Sequence, residues 1–352
     1  MDRQPHVSIV SSVYNCSSYI RQTIYSVLNQ TYDNWEWVIV DDGSTDGTGD
    51  MIRDINDKRI RYLFQEHVIS RHIAKNFNKG LMMCNGDLVA VIDGDDYWPE
   101  DKLQVQVQSF DDPRVVLSYG ESYLVNHEGK KKGYIGLPEN LSAANNNPIG
   151  SVLDILLVEN SCFIVHPTVM LRKDALLRIG GFLEVTGMGQ DFPTWVRLAL
   201  EGMFSAMPVC LGYYRKHASS YSIMQNRETA FNDEIRFFEE FVHTFKGELN
   251  GLGFHYDIEK LRKHWEEVRR YIPYNSALYM LMFGLFKDAR SEFRKFLEGA
   301  PSIKNDLIYF LIVLSSYLRT DLINPLVYCK EKMKTLKKRS DSHTHSTTGT
   351  IK

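Results

Sequence analysis

The 352-residue chain lacks the features that mark several common protein classes. Its five cysteines, Cys16, Cys84, Cys162, Cys210 and Cys329, lie far apart and include no C-x-x-C. That spacing excludes the common zinc patterns and predicts reduced thiols in a cytoplasmic setting. Charge of one sign is also missing, with 41 Lys and Arg against 44 Asp and Glu and a net charge of −3. A general nucleic-acid binder needs a basic excess or a basic face, so nucleic acid is not an expected partner. Long hydrophobic runs are absent. The longest, Leu307 to Leu318, is interrupted by Ser315 and Ser316 and is too short to span a bilayer. Met1 to His6 is polar and a strand-length apolar run follows, so no signal peptide is expected. What is present is the composition of an ordinary globular protein, 43% hydrophobic and 24% charged, long enough for two domains or one domain with an extension.

The first hundred residues alternate strand and helix. Val7 to Val13 reads as a strand, and Ser18 to Gln30 as a helix with Ile20, Ile24, Val27 and Leu28 on its apolar stripe. Trp35 to Val40 is a second strand, followed by a helix over Gly47 to Ile55 that Thr45 or Asp46 can cap. Arg59 to Gln65 reads as a third strand, Ser70 to Asn85 as a helix closed by Gly86, and Leu88 to Ile92 as a fourth strand. Repeated β-α-β units of this length predict a parallel sheet with helices on both faces. Further on, Val115 to Tyr123, Pro167 to Arg172 and Val209 to Tyr214 are strand-like, and Asn126 to Asn147 reads as a loop. Helices are expected over Asp174 to Ile179 and Pro193 to Leu200. After about Ser222 the pattern is wholly helical, and the tail beyond Lys330 is rich in Lys and Arg, then in Ser, Thr and His.

Strand four runs into Asp93-Gly94-Asp95-Asp96. Three carboxylates this close repel one another and call for a positive group between them, most simply a hard divalent cation with oxygen ligands. In an open α/β sheet, ligands bind beyond the carboxyl ends of the strands, where this cluster falls. Strand two likewise ends in Asp41-Asp42-Gly43-Ser44. A carboxylate there can accept from a base N–H or a ribose hydroxyl, and an Asp-Gly turn accounts for the same residues.

Several segments then fall in one order: VSIVSSVYN (Val7 to Asn15), VIVDDGSTD (Val38 to Asp46), Asn78-Lys79-Gly80 with Gly86-Asp87, VIDGDD (Val91 to Asp96) with Trp98 and Lys102-Leu103, Gly180-Gly181-Phe182, Gln190-Asp191, and Tyr214-Arg215-Lys216-His217 with Ser219-Ser220. This array, from about Pro5 to Ser222, resembles the GT-A glycosyltransferases of family 2. The resemblance implies an α/β fold with a Rossmann-like, mostly parallel sheet flanked by helices, here followed by an α-helical C-terminal extension. It implies an inverting transferase using a nucleotide-sugar donor, a UDP-sugar first, with Mg²⁺ or Mn²⁺. Tyr14 and Asn15 are then nucleotide contacts, Asp41 the ligand contact of its pair, and Asp42 or Ser44 the shaper of the turn. Asp93 faces the ribose or the metal and Asp95 ligates the metal. Arg215 reaches phosphate, and His217 is a candidate to complete the metal shell. Lys79 and Arg71 are further candidates for phosphate, although a solvated helix face explains them equally well. Trp98 is expected under a sugar ring or in the core.

Asp191 is the candidate general base, since inverting displacement needs a carboxylate near the acceptor hydroxyl. The family places a pair of acids here, and this chain has Gln190 in the first place. Asp191 before Phe192-Pro193 also suits a helix N-cap. A dinucleotide-dependent oxidoreductase is disfavoured because no G-x-G-x-x-G follows the first strand. A non-catalytic sugar- or nucleotide-binding relative that acts through its helices is the remaining alternative.

These patterns set expected domains at 1–222 (catalytic), 223–330 (helical) and 331–352 (disordered tail). The acceptor is expected to be a saccharide or glycolipid. Apolar Ile303 to Val327 followed by basic Lys330 to Arg339 suits peripheral contact with an anionic membrane, on the inner face of the cell membrane. A helix docked on the protein, followed by a solvated tail, suits the same pattern. The sequence carries no signal for the oligomeric state.

Overall fold

The computed structural model describes residues 4–67, 73–138, 141, 146–158, 163–185, 188–220, 227–299, 303–318, 321 and 323. Arg71 and the basic tail lie outside the described residues. The chain divides into two compact units, Met1–Lys216 with Gln225–Trp265, and His217–Met224 with Glu266–Lys352.

The first unit is built on a nine-stranded sheet. Strands β1 (Val7–Val13), β2 (Trp35–Asp41), β3 (Ile60–Phe64) and β4 (Leu88–Val91) form its parallel half in the order β3-β2-β1-β4. β1 is central and buried on both faces, which suits its β-branched run. Its polar residues are satisfied inside: Ser8 Oγ donates to Glu36 Oε1 (2.7 Å), and Trp37 Nε1 donates to Ser11 Oγ (2.9 Å). Helices α1 (Ile20–Leu28), α2 (Thr48–Arg53) and α3 (Ile73–Met83) make the crossovers.

Beyond β4 the sheet becomes mixed. β8 (Met170–Arg172) runs antiparallel to β4 and to β5 (Val115–Val125), and β5 runs parallel to β9 (Met203–Arg215). The segment expected as a loop carries two strands. β6 (Lys131–Ile135) forms an antiparallel hairpin with β5, and β7 (Asn146–Asn147) pairs with β9. β6 lacks an apolar alternation because it lies on one edge of β5, where exposed Lys131 and Lys132 are tolerated. Helix α4 (Lys102–Val107) follows the β4 loop, α5 (Lys173–Arg178) follows β8, and α6 (Asp191–Leu198) precedes β9.

The helical region after residue 222 is shared between the units. α7 (Arg227–Thr244) and α8 (Lys246–Gly251) belong to the first, where Phe238 of α7 packs edge-on to Phe192 of α6 at 5.5 Å. α9 (Ile258–Arg269) begins in the first unit, where Trp265 Nε1 donates to Leu157 O (2.8 Å). In the second unit, α10 (Ile272–Met282), α11 (Phe286–Gly299) and α12 (Ile303–Leu318) share a core of Ala277, Leu281, Ala289, Phe293, Phe296 and Ile312. No helix among the described residues is long and apolar enough to cross a membrane.

Candidate active site at the sheet tips

The register sets the site. Val13 pairs with Asp41 and Val10 with Val91, so the carboxyl ends of β1, β2 and β4 lie side by side. The acidic turns that end β2 and β4 therefore flank the loop that follows β1.

The β1–β2 side is tied by side chains. Asn15 sits at φ +48, a left-handed conformation that Asn tolerates better than most residues. Its backbone N–H donates to Ser44 Oγ (2.9 Å), and its Oδ1 accepts from Thr45 N (2.9 Å). Asp46, one residue before the N-cap Gly47 of α2, accepts from Thr48 N and Oγ1 and from Ser17 N. Burial alone would raise the Asp46 carboxyl, but these bonds outweigh it and hold the group at about 2.

Asp41 is fully buried and both its oxygens are engaged, Oδ1 by Ser44 N (2.8 Å) and Oδ2 by the Tyr62 hydroxyl (2.6 Å). It thus braces the turn, the part the sequence pattern allots to Asp42 or Ser44. Asp42 is joined by Gln65 Nε2 (2.7 Å) and His67 Nδ1 (2.9 Å). The His67 ring stacks on Tyr14 at 4.2 Å and 13°. Tyr14, 47% exposed, and Asp42 are therefore brought to one place by His67, a residue the motifs do not mark. Gly43 permits this. At φ +79, a Cβ there would stand 2.5 Å from His67 N.

The β4 side is built differently. Gly94 lets the acidic loop lie on β1, because a Cβ would meet Val13 Cγ1 at 2.8 Å. Asp93, with a side chain 33% exposed, lies 3.8 Å from His166 Nε2, outside hydrogen-bond reach. Burial lifts the Asp93 carboxyl to about 6; His166 opposes the rise, and the charges of Asp95 and Asp191 add to it. The charges of Asp95, on the same loop, and of Asp191, on a separate segment, thus both reach Asp93. Asp191 is the first residue of α6, with Gln190 at the N-cap position, and its side chain makes no hydrogen bond among the described residues. Asp96 is buried and raised well above the ordinary carboxyl range by burial and then by Asp95 and Asp93. Its Oδ1 accepts from Arg215 N (2.7 Å), and its Oδ2 has no hydrogen-bond partner.

Two sequence-marked residues do structural work. The Arg215 guanidinium is buried and donates to Asp95 O (2.7 Å), Asn126 O (3.0 Å), His127 O (3.1 Å) and Gln22 Oε1 (2.5 Å). It holds the acidic loop to the β5–β6 turn. Trp98 is in the core, with Nε1 donating to Pro167 O (2.7 Å), and offers no face to a sugar. Lys79 is exposed and donates to Gln65 Oε1 (2.9 Å). His217 belongs to the second unit, where its Nδ1 lies 2.9 Å from Ser219 Oγ.

Two unmarked residues join the acidic cluster. Lys216 is buried and its charge bears on Asp93 and Asp96. It stands inside the quoted Tyr-Arg-Lys-His run, one position from the cation that the resemblance favours. His166 is only 5% exposed, with neither ring nitrogen bonded, between the rings of Phe77 and Trp195. Trp195 Nε1 is likewise buried and unpartnered. Before Pro167-Thr168, His166 carries no local signal.

The family model described as "Glycosyl transferase family 2" matches residues 8–180. Bacillus subtilis (strain 168) TuaG, assigned as a teichuronic acid biosynthesis glycosyltransferase, is 31% identical over 226 residues, 62% of this chain and 82% of that one. Escherichia coli WfaP, a UDP-Glc:α-D-GlcNAc-diphosphoundecaprenol β-1,3-glucosyltransferase, is 30% identical over 223 residues, 63% of this chain and 82% of its own. Among solved structures, Staphylococcus aureus TarS 1–349 in complex with UDP-GlcNAc superposes with a TM-score of 0.54 at 17% identity, over 89% of this chain and 88% of that one. The Pyrobaculum calidifontis mannosyltransferase PcManGT, in complex with GDP-Man and Mn²⁺, superposes with a TM-score of 0.50 at 18% identity, over 89% and 81%. The likeness of the sheet and its flanking helices to these structures, with identity to the curated relatives over most of their length, makes the fold GT-A and the chain a glycosyltransferase belonging to glycosyl transferase family 2.

Proposed function

We propose that the chain transfers a sugar from a nucleoside-diphosphate sugar, a UDP-sugar first, to a hydroxyl of a saccharide or glycolipid acceptor, with inversion in one displacement. The observation that supports this is that the charges of Asp95, on the same loop, and of Asp191, on a distant segment, both reach Asp93. The UDP-Glc in the name of WfaP and the UDP-GlcNAc in complex with TarS support the choice of a UDP-sugar. The diphosphoundecaprenol acceptor of WfaP and the teichuronic acid assignment of TuaG support a lipid-carried glycan of the cell envelope.

Asp191 takes the proton from the acceptor hydroxyl as that oxygen attacks the anomeric carbon. A retaining route needs a second carboxylate placed as nucleophile, and the sequence marks none out for that part. Tyr14 and Asp42, steadied by His67, receive the base and ribose, while Asn15 and Asp41 hold the two loops in register. Among the described residues no three His, Cys, Asp or Glu side chains are placed to hold a metal by themselves. Two carboxylates offering only oxygen donors fit Mg²⁺ or Mn²⁺. Asp95 and Asp93 would hold it, and such an ion supplies charge neutralisation for the departing diphosphate. Arg215 fixes the Asp95 backbone for that task.

The test is a donor screen with purified protein, a panel of nucleotide-sugars, Mg²⁺ or Mn²⁺, and detection of released nucleotide. We expect one donor class to be turned over and Asp95→Ala to lose that activity. Turnover of none, or turnover indifferent to Asp95→Ala, removes the proposal.

A further inference from the structure

Helix α12 has two apolar faces. One is packed in the second unit, with Ile312 fully buried and Ser315 Oγ bonded to Leu311 O (2.7 Å). On the other, Leu307 (60% exposed), Phe310 (60%), Tyr317 (77%) and Leu318 (57%) stand in solvent. Spacings of i, i+3, i+10 and i+11 put these four on one stripe. Scattered exposed apolar residues are ordinary, but a continuous stripe marks an interaction surface.

Beside the stripe lies a cleft of about 450 Å³ lined by Lys287, Arg290, Ser291 and Arg294 of α11 and by Tyr309 and Val313 of α12. The three cations fall at i, i+3 and i+7, on one face of α11. Arg294 donates to the Tyr309 hydroxyl (3.2 Å), while Lys287 and Arg290 make no ion pair among the described residues. The surface therefore joins an apolar strip to a row of cations.

That pairing selects the occupant. A protein partner that matched the stripe alone would bury unpaired cations, at high cost. A soluble anion would satisfy the cleft and leave the stripe wet. An anionic lipid surface supplies phosphates at the level of the cations and hydrocarbon just beneath. The sequence beyond, with Lys330, Lys332, Lys334, Lys337, Lys338 and Arg339, has the same sign as the cleft and so suits the same surface rather than the cleft itself. At 16 residues, α12 is about 24 Å long, short of the roughly 30 Å hydrocarbon core, which fits lying on a bilayer.

We propose that the α11–α12 face docks on an anionic bilayer, with Leu307, Phe310, Tyr317 and Leu318 toward the acyl chains and Lys287, Arg290 and Arg294 on lipid phosphates. The inference rests for its purpose on the reading above, in which the acceptor is carried on a lipid.

The test uses the full chain and flotation with vesicles of phosphatidylglycerol and phosphatidylcholine in equal parts, against phosphatidylcholine alone. Wild-type protein is expected to float with the anionic vesicles and not with the neutral ones. Lys287→Ala with Arg290→Ala should weaken binding about 30-fold, from roughly fivefold per cation removed. Phe310→Asn with Tyr317→Asn should abolish flotation. Both pairs are surface changes, and an unchanged melting temperature and nucleotide release confirm an intact fold. No flotation of the wild type overturns the proposal. So does flotation that survives both variants but is lost with Lys337→Ala and Lys338→Ala, which would assign binding to the tail. A dimer that Phe310→Asn dissociates, without vesicle binding, also overturns it. Nucleotide release without flotation refutes the docking face alone, whereas flotation without nucleotide release refutes the transferase reading alone.

Discussion

The tips of β2 and β4 both end in aspartates, yet they are built on opposite principles. At the β2 tip the bracing groups are paired. Asp41 has two donors, Asp46 has three, and Asn15 ties one loop to the other. At the β4 tip, buried groups stand unpartnered: one oxygen of Asp96, both nitrogens of His166 and the indole N–H of Trp195. Asp93 and Asp96 are raised first by burial and then by neighbouring carboxylates, which His166 and buried Lys216 offset only in part. A paired carboxylate rigidifies a loop, whereas crowded carboxylates leave electrostatic free energy that a cation or substrate recovers on binding. The difference sets a braced turn apart from a crowded acidic loop within one sheet edge.

Four experiments bear on this contrast. The largest effect is expected for Asp191→Asn, which should lower turnover by about 10²–10⁴-fold while leaving donor affinity nearly unchanged. Steady-state kinetics with donor titration reads both, and unchanged turnover would take Asp191 out of the reaction centre. Next, Asp41→Ala should lower stability by about 1–3 kcal/mol, because the Ser44 N–H and Tyr62 hydroxyl lose their acceptor. Thermal melting measures this, and a fully stable variant would dissolve the scaffold side of the contrast.

Third, Asp93 keeps its proton up to about 6 when folded, against 3.8 unperturbed. The folded state therefore binds more protons between those values, and stability falls as pH rises through that window. Without divalent ions, wild type should gain stability relative to Asp93→Asn as pH drops from about 7 to about 5. Parallel melting curves across that range would show that Asp93 is not crowded. Fourth and smallest, His166→Phe should change stability by less than about 1 kcal/mol, since the ring makes no hydrogen bond to lose. A much larger loss would reveal a buried partner and return His166 to the scaffold.

Much of the architecture is legible in the sequence because local periodicity reports burial. The β-branched runs of β1, β2 and β4 and the apolar stripe of α1 give the parallel half directly. β6 is not legible that way. Lys131, Lys132 and Gly133 carry no alternation, and the strand exists through its pairing with β5, where Tyr134 lies opposite Tyr123. Asp93, Asp95 and Asp191 are legible as candidates, since their residue types and order carry a resemblance. The partners of Arg215 are not legible, because an arginine beside acidic loops looks the same whether its donors face phosphate or backbone carbonyls. His67 and His166 have no motif at all.

What the sequence by itself determined is that acidic turns close neighbouring parallel strands, since strand period and β-α-β spacing are local properties of the chain. Only the tertiary structure decided which aspartate turns inward, which cation meets the cluster, and which side chains of α12 are exposed. Those outcomes depend on partners distant in sequence, such as Tyr62 for Asp41 and Asn126 for Arg215, and no local pattern encodes a hydrogen bond made across the fold.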